Sequence, residues 1–249
     1  MTLPLKGQAE GLGDLNIIHG VEALQQGNTD EALQYFQKYL AQWPTGEFSP
    51  EAKYLAAQAA LRNKRPQLAL SYSSDLDKEF PELSDLILTL RAKSYQALGE
   101  QEKSRSQWTE LIRLYPQSPL VAQALYMIGD TLFEQSQLEL AQAAYHKALR
   151  NSPNRSEAAQ AKMNMAHIAE QLGHWDQASE IYKNYVYHLP SHPFSEDAHL
   201  KLKNLLRNKR ATEASMELRL IQIDKLLKRH SFQRASKKQQ AMESLILAE

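Results

Sequence analysis

The chain has 249 residues, 43% of them hydrophobic, which fits a folded protein and excludes wholesale disorder. It contains no cysteine, so disulfides, thiolate metal sites and cysteine nucleophiles are all excluded. Lysine plus arginine balances aspartate plus glutamate at 29 each, yet residues 1–199 carry 17 against 24 and residues 200–249 carry 12 against 5. That split gives the chain a basic end with a contact surface of its own.

Residues 1–14 contain Pro4, Gly7, Gly11 and Gly13 and read as a flexible lead-in. From Leu15 the apolar pattern becomes helical and predicts five hairpins, at about 15–44, 50–81, 83–116, 119–153 and 156–190, then a helix at 195–208. Turn signals separate the two helices of a hairpin at Gly27-Asn28, Arg65-Pro66, Gly99-Glu100 and Gly173-His174. Ser49-Pro50-Glu51, Ser118-Pro119 and Ser156-Glu157 open first helices with a capping residue. Residues 212–249 read as a basic capping pair of helices, with Met216, Leu218, Leu220, Ile221, Ile223, Leu226 and Leu227 along the first.

Three columns of residues keep one register through this array. The first is Gly20, Ala57, Ala92, Gly129 and Ala166; the second is Ala32, Ala69, Ser104, Ala141 and Ala178. The third is Pro44, Pro81, Pro116, Pro153 and Pro190, and in all three the spacings are 37, 35, 37 and 37. A fixed period in the thirties is the mark of stacked helical hairpins. Two helices approach to roughly 8–10 Å only where side chains are small, which explains the first two columns. Four residues after the second column come Phe36, Trp108, Tyr145 and Tyr182, on the same face one turn along. Ser73 breaks that series, and Tyr72 beside it is the expected substitute. Proline has no N–H and clashes inside a helix, so each one ends a second helix.

The order glycine or alanine, alanine twelve on, an aromatic and then proline resembles the tetratricopeptide repeat over about residues 15–206. The 37-residue period and Tyr115-Pro116-Gln117-Ser118-Pro119 are similar to the longer repeats of bacterial envelope proteins of the BamD-like and CpoB-like kind. A second similarity is to the N-terminal superhelical region of soluble lytic transglycosylases, where a looser basic helical pair follows the array. This chain departs from both, with no lipobox cysteine and no transglycosylase catalytic sequence. The resemblance implies a right-handed all-α solenoid that acts as a non-enzymatic scaffold, with first helices lining a concave face. Mapped onto this chain, that face would present Tyr54, Gln58, Lys93, Gln96, Tyr126, Asp130, Phe133, Asn164, His167, Glu170 and Lys201. Exposed tyrosine and phenylalanine among polar groups would suit peptide capture. Peptidoglycan-processing or outer-membrane assembly proteins are the partners the resemblance implies, in the periplasm or envelope. With Met1 as the native start the expected compartment is instead the cytoplasm, since MTLPLKGQAEGLGDL lacks the apolar core of a secretory signal.

Little else in the chain carries chemistry. His188 and His192 have a metal-like spacing, with His199 nearby, but Pro190 and Pro193 stop them from sharing a helical face. Glu243-Ser244 matches the Glu-Ser pair of lytic transglycosylases, but a glycoside hydrolase needs a carboxylate held in a formed site. No phosphate loop, nucleophile elbow, HExxH or dinucleotide turn is present, so neither cofactor nor catalytic residues are predicted. No run reaches the roughly 18 apolar residues that span a membrane. The basic residues Arg207, Lys209, Arg210, Lys228 and Arg229 read first as a solvated face, and second as a surface for an anionic partner, either an acidic protein or a membrane surface. Aromatic residues are nearly absent among them, which argues against nucleic acid.

Overall fold

The computed structural model describes residues 12–151, 156–189 and 192–207, and within them the chain is helical with no strand. It divides into two compact units, 1–131 and 132–249.

Unit 1 opens with α1 (Leu12–Gln25) and α2 (Thr29–Gln42), so the first helix begins inside the stretch read as a lead-in. It continues with α3 (Ser49–Arg62), α4 (Pro66–Ser73), the single turn α5 (Leu76–Glu79), a 3-10 turn at Pro81–Leu83, α6 (Ser84–Ala97) and α7 (Gln101–Leu114). Next comes α8 (Val121–Glu134), whose last turn holds the division between the units. Neighbours in sequence pack as antiparallel pairs, α1 on α2, α2 on α3 and α6 on α7. Unit 2 contains α9 (Leu138–Asn151), α10 (Ser156–Gln171), α11 (Trp175–His188) and α12 (Ser195–Arg207), with α10 on α11 and α11 on α12.

One turn geometry joins the helices of every hairpin. Gly27, Lys64, Gly99, Ser136 and Gly173 all adopt positive φ, from 56° to 82°. After each, an N–H reaches back five residues: Asn28 to Ala23, Arg65 to Ala60, Glu100 to Tyr95, Gln137 to Leu132 and His174 to Ala169, at 2.8–2.9 Å. This left-handed residue with a long return bond satisfies carbonyls that the helix end leaves open. Glycine takes that conformation without strain, whereas Lys64 and Ser136 hold it against their Cβ.

The small columns are where the helices touch. Ala57, Ala92 and Ala166 of the first column, and Ala32, Ala69, Ala141 and Ala178 of the second, are 0% exposed, and Ser104 is 1% exposed. Gly20 and Gly129 are buried as well. At Gly20 a Cβ would fall 2.6 Å from Phe36 Cε1, so only glycine fits under that ring. Phe36, Trp108, Tyr145 and Tyr182 fill the core at 0–1% exposure. Three residues on, Tyr39, Leu76, Leu111, Ala148 and Tyr185 form a further buried column.

The second hairpin is irregular. Ser73 stands where the other hairpins have a large residue, and its hydroxyl donates to the Ala69 and Leu70 carbonyls at 2.9 and 3.2 Å. Such back-bonding bends helices, and α4 stops here. Tyr72 is not the expected substitute: it is half-buried at the rim, accepting from Gln37 Nε2 at 3.2 Å, while Leu76 supplies the buried apolar bulk. Arg91 of α6 closes the broken end, donating to the Ser73 and Ser74 carbonyls and pairing with Asp77 at 2.5 Å. The contraction of the period to 35 residues falls across this segment.

Candidate functional site

The first helices α3, α6, α8, α10 and α12 carry the residues assigned to the inner face, and the structure divides them into two kinds. In unit 1, Lys93 is exposed and Gln58, Gln96 and Asp130 are half-buried, so their polar ends reach solvent. Tyr54 and Tyr126 do not stand free as expected, since they are only 8% and 9% exposed. They lie three residues before Ala57 and Gly129, almost one helical turn, so the close approach that buries those residues draws the rings in too. Burial, followed by the nearby Asp85 carboxylate, raises the Tyr54 hydroxyl above its ordinary pKa, with Arg62 opposing. In unit 2, Phe133 is half-buried.

Asn164 is also taken up by the fold, at 8% exposure. Its amide donates to Tyr145 Oη at 2.9 Å, and its oxygen accepts from Gln160 Nε2 at 2.9 Å. It anchors α10 to α9 and presents little surface. One turn along α10, His167 is half-buried with its ring 6.1 Å from that of Tyr182 on α11. Another turn on, the Glu170 carboxylate pairs with Lys201 of α12 at 3.6 Å. Steps of three residues set His167 and Glu170 on one stripe of α10, which faces α12.

The electrostatics of this cluster are mixed. Burial lowers the His167 pKa below its ordinary 6.5 and Lys201 adds to the effect, outweighing Glu170 and Asp197. Burial raises the Tyr182 hydroxyl strongly, reinforced by the Glu170 and Asp197 carboxylates. That hydroxyl lies near Glu170 without reaching hydrogen-bond geometry, and His167 Nε2 is likewise buried without a partner. Both rings are therefore neutral near pH 7. Tyr182 lies in the core, as its place in the aromatic column predicts, at 0% exposure, whereas Asp197 was passed over. The signal available was register, since Asp197 precedes Lys201 by one helical turn.

The histidines at the end of α11 and just after it make ring contacts with neighbouring aromatic residues. Burial pushes the Tyr185 hydroxyl up to about 12, so it stays protonated, and it shares a hydrogen bond with His192 Nδ1 at 2.6 Å. His188 instead packs edge-on against Tyr187. Among the described residues, no group of histidine and carboxylate side chains could hold a metal ion. Among the same residues no helix is long and apolar enough to cross a membrane. Of the basic residues, Arg207 is exposed at the end of α12, while Lys209, Arg210, Lys228 and Arg229 lie outside the described residues, as does Glu243.

The tetratricopeptide repeat model matches residues 19–82, 89–156 and 126–198, which cover most of the chain. The chain belongs to the tetratricopeptide repeat family. Solved structures agree on the fold. A tetratricopeptide repeat protein from Parabacteroides merdae is 18% identical over 78% of this chain and 75% of its own, with a TM-score of 0.64. MamA from Desulfovibrio magneticus is 17% identical over 74% of this chain and 99% of its own, at 0.62. PilF of Pseudomonas aeruginosa is 17% identical over 78% and 91%, at 0.57. No curated protein sequence matches. As a tetratricopeptide repeat protein the chain has an architecture that binds protein or peptide partners and is in general non-catalytic. The small columns, the aromatic column and the hairpin turns are the packing parts of that repeat.

Proposed function

We propose that this protein captures an extended peptide or protein segment on its first helices and works as a non-enzymatic scaffold. The observation that carries the reading is that, within each unit, polar residues remain accessible on those helices after the core is satisfied. In unit 1 Gln58, Lys93, Gln96 and Asp130 keep solvent-accessible surface while Tyr54 and Tyr126 are packed away, and in unit 2 His167 and Glu170 keep it while Asn164 is packed away. Polar groups on rigid helices give orientation to a partner whose contact area comes from elsewhere.

Association with the bacterial cell envelope is the finer reading. It is supported by the 37-residue period and by the Tyr-Pro-Gln-Ser-Pro motif at 115–119. The basic residues from Arg207 onward would then steer an acidic partner toward the first helices. A role as the superhelical part of a lytic transglycosylase is the rival reading, and no structural observation favours it.

The experiment is capture from a native lysate, identification of the bound protein and titration of its purified form. The paired change Lys93→Glu with Asp130→Lys should weaken the titrated affinity at least tenfold while the melt stays near wild type. Release of muropeptides from peptidoglycan by the chain alone would overturn the scaffold reading.

A further inference from the structure

α12 is the last helix among the described residues, and one of its faces lacks the cover that the same face has on the other first helices. Leu200 continues a column formed by Tyr54, Thr89, Tyr126 and Met163, with the spacings of 35, 37, 37 and 37 residues that the repeat sets. Those four are 2–9% exposed, and Met163 is packed in one cluster with Tyr182 and Tyr185 of the helix that follows it, α11. Leu200 is 55% exposed. A single exposed leucine is ordinary on a protein surface, but this one stands where every earlier hairpin buries a side chain against its neighbours.

The chain itself carries a matching surface. Residues 208–249 lie outside the described residues. Within them Met216, Leu220, Ile223 and Leu227 stand at steps of four, three and four, the steps that lead from Ala178 through Tyr182 and Tyr185 to Leu189 along α11. At helical spacing such steps make one stripe. Met216 follows Lys203 by 13 residues, where Ala178 follows Ala166 by 12, so the connection is long enough to turn back.

Charge sets the direction. The stripe of α12 that holds Leu200 runs from Glu196 to Lys203, acid first and base last. The later stretch also begins acidic, at Glu213 and Glu217, carries Asp224 midway and ends basic at Lys228. Laid antiparallel, as sequence neighbours lie elsewhere in the chain, Lys203 meets Glu213 and Glu217, and Glu196 meets Lys228. Laid parallel, like charges would meet at both ends. Glu196 and Lys203 replace Ala159 and Ala166 of α10, so the helices would stand further apart here and the long Met216 side chain suits the wider gap.

We propose that residues 213–228 dock antiparallel on α12, with Met216, Leu220, Ile223 and Leu227 covering Leu200, and complete a sixth hairpin. Docking engages Lys228 with Glu196 and leaves Arg207, Lys209 and Arg210 for a partner. The inference is independent of the groove reading.

Hydrogen–deuterium exchange of the full chain tests it. Residues 216–227 should exchange at least tenfold more slowly than the same sequence as a free peptide. Leu200→Asp should remove most of that slowing, while Ser84–Ala97 exchanges as in wild type. Lys203→Glu should speed exchange over 216–227 about twofold, and adding Glu213→Lys with Glu217→Lys should restore it. Exchange of 216–227 at the free-peptide rate would overturn the proposal, as would slowing that survives Leu200→Asp. Slowing that disappears on tenfold dilution would assign the cover to a second copy and overturn it too. If Leu200→Asp also speeds exchange in Ser84–Ala97, the charge variants decide: no loss in Lys203→Glu, or a loss the double reversal leaves in place, refutes the docking.

Discussion

Gly20→Ala isolates the contact on which the hairpin geometry depends. A methyl group there would sit 2.6, 2.8 and 3.0 Å from Phe36 Cε1, Cζ and Cδ1. Carbon atoms in contact sit about 3.5–4.0 Å apart, so the overlap is close to 1 Å. Phe36 cannot retreat, being 0% exposed and packed in one cluster with Ala23, Ala32, Leu33 and Ala57. Overpacking of this kind costs about 1–3 kcal/mol, while replacing a mid-helix glycine by alanine returns about 1 kcal/mol. The net expectation is a loss of about 1 kcal/mol, or a melting point about 2–4 °C lower for a chain of this size. Thermal melts of wild type and variant, followed by far-UV circular dichroism in one buffer, measure it. Phe36→Leu in the same background should recover part of the loss, because the two positions share one space. An unstrained helix position would behave in the opposite way and gain stability. A Gly20→Ala variant that melts at or above wild type would therefore refute the close approach.

Arg91→Gln should open the end of α4, because three groups lose the same guanidinium. A cost of about 1–3 kcal/mol is expected, with faster amide exchange over 71–79, and Arg91→Lys should not rescue it, since the ammonium lacks the fork. Stability should also depend on pH through His167, whose folded pKa is lowered by burial and Lys201. Below its ordinary 6.5 the unfolded chain binds the proton more readily, so stability should fall as pH drops through 6.5 and below. His167→Gln should flatten that part of the profile, measured by urea midpoints between pH 5 and 8. Replacing Arg207, Lys209 and Arg210 with glutamine should lower the on-rate for an acidic partner and its salt dependence, with little change in off-rate.

The packing of the repeat was legible because it depends on size at fixed spacing. The columns of Gly20 and Ala32 had to be small wherever two helices meet, and each of their members is buried. The Phe36 column was legible for the matching reason, except at Ser73, where a hydroxyl bonds to its own helix and the neighbouring turn rearranges. Sequence alone gave no sign that Arg91, eighteen residues later, would close that end. The turns were half-legible. Glycine marked three of them and Arg65-Pro66 a fourth, but no residue announced the turn at Ser136 or the left-handed conformation of Lys64. The inner face was harder, because exposure depends on tilt as well as register. Tyr54, Tyr126 and Asn164 lie on the correct helices, but close packing and the bond to Tyr145 bring them into the core. The pairing of Glu170 with Lys201 spans two helices and 31 residues, a distance over which spacing rules do not reach.

The most direct test of the groove is hydrogen–deuterium exchange of the full chain with and without its captured partner. Bound partner should slow exchange on the first helices, Ser49–Arg62, Ser84–Ala97, Ser156–Gln171 and Ser195–Arg207, and leave Gln101–Leu114 and Trp175–His188 unchanged. Protection confined to those two second helices, with the first helices exchanging as in the free protein, would contradict capture on the inner face.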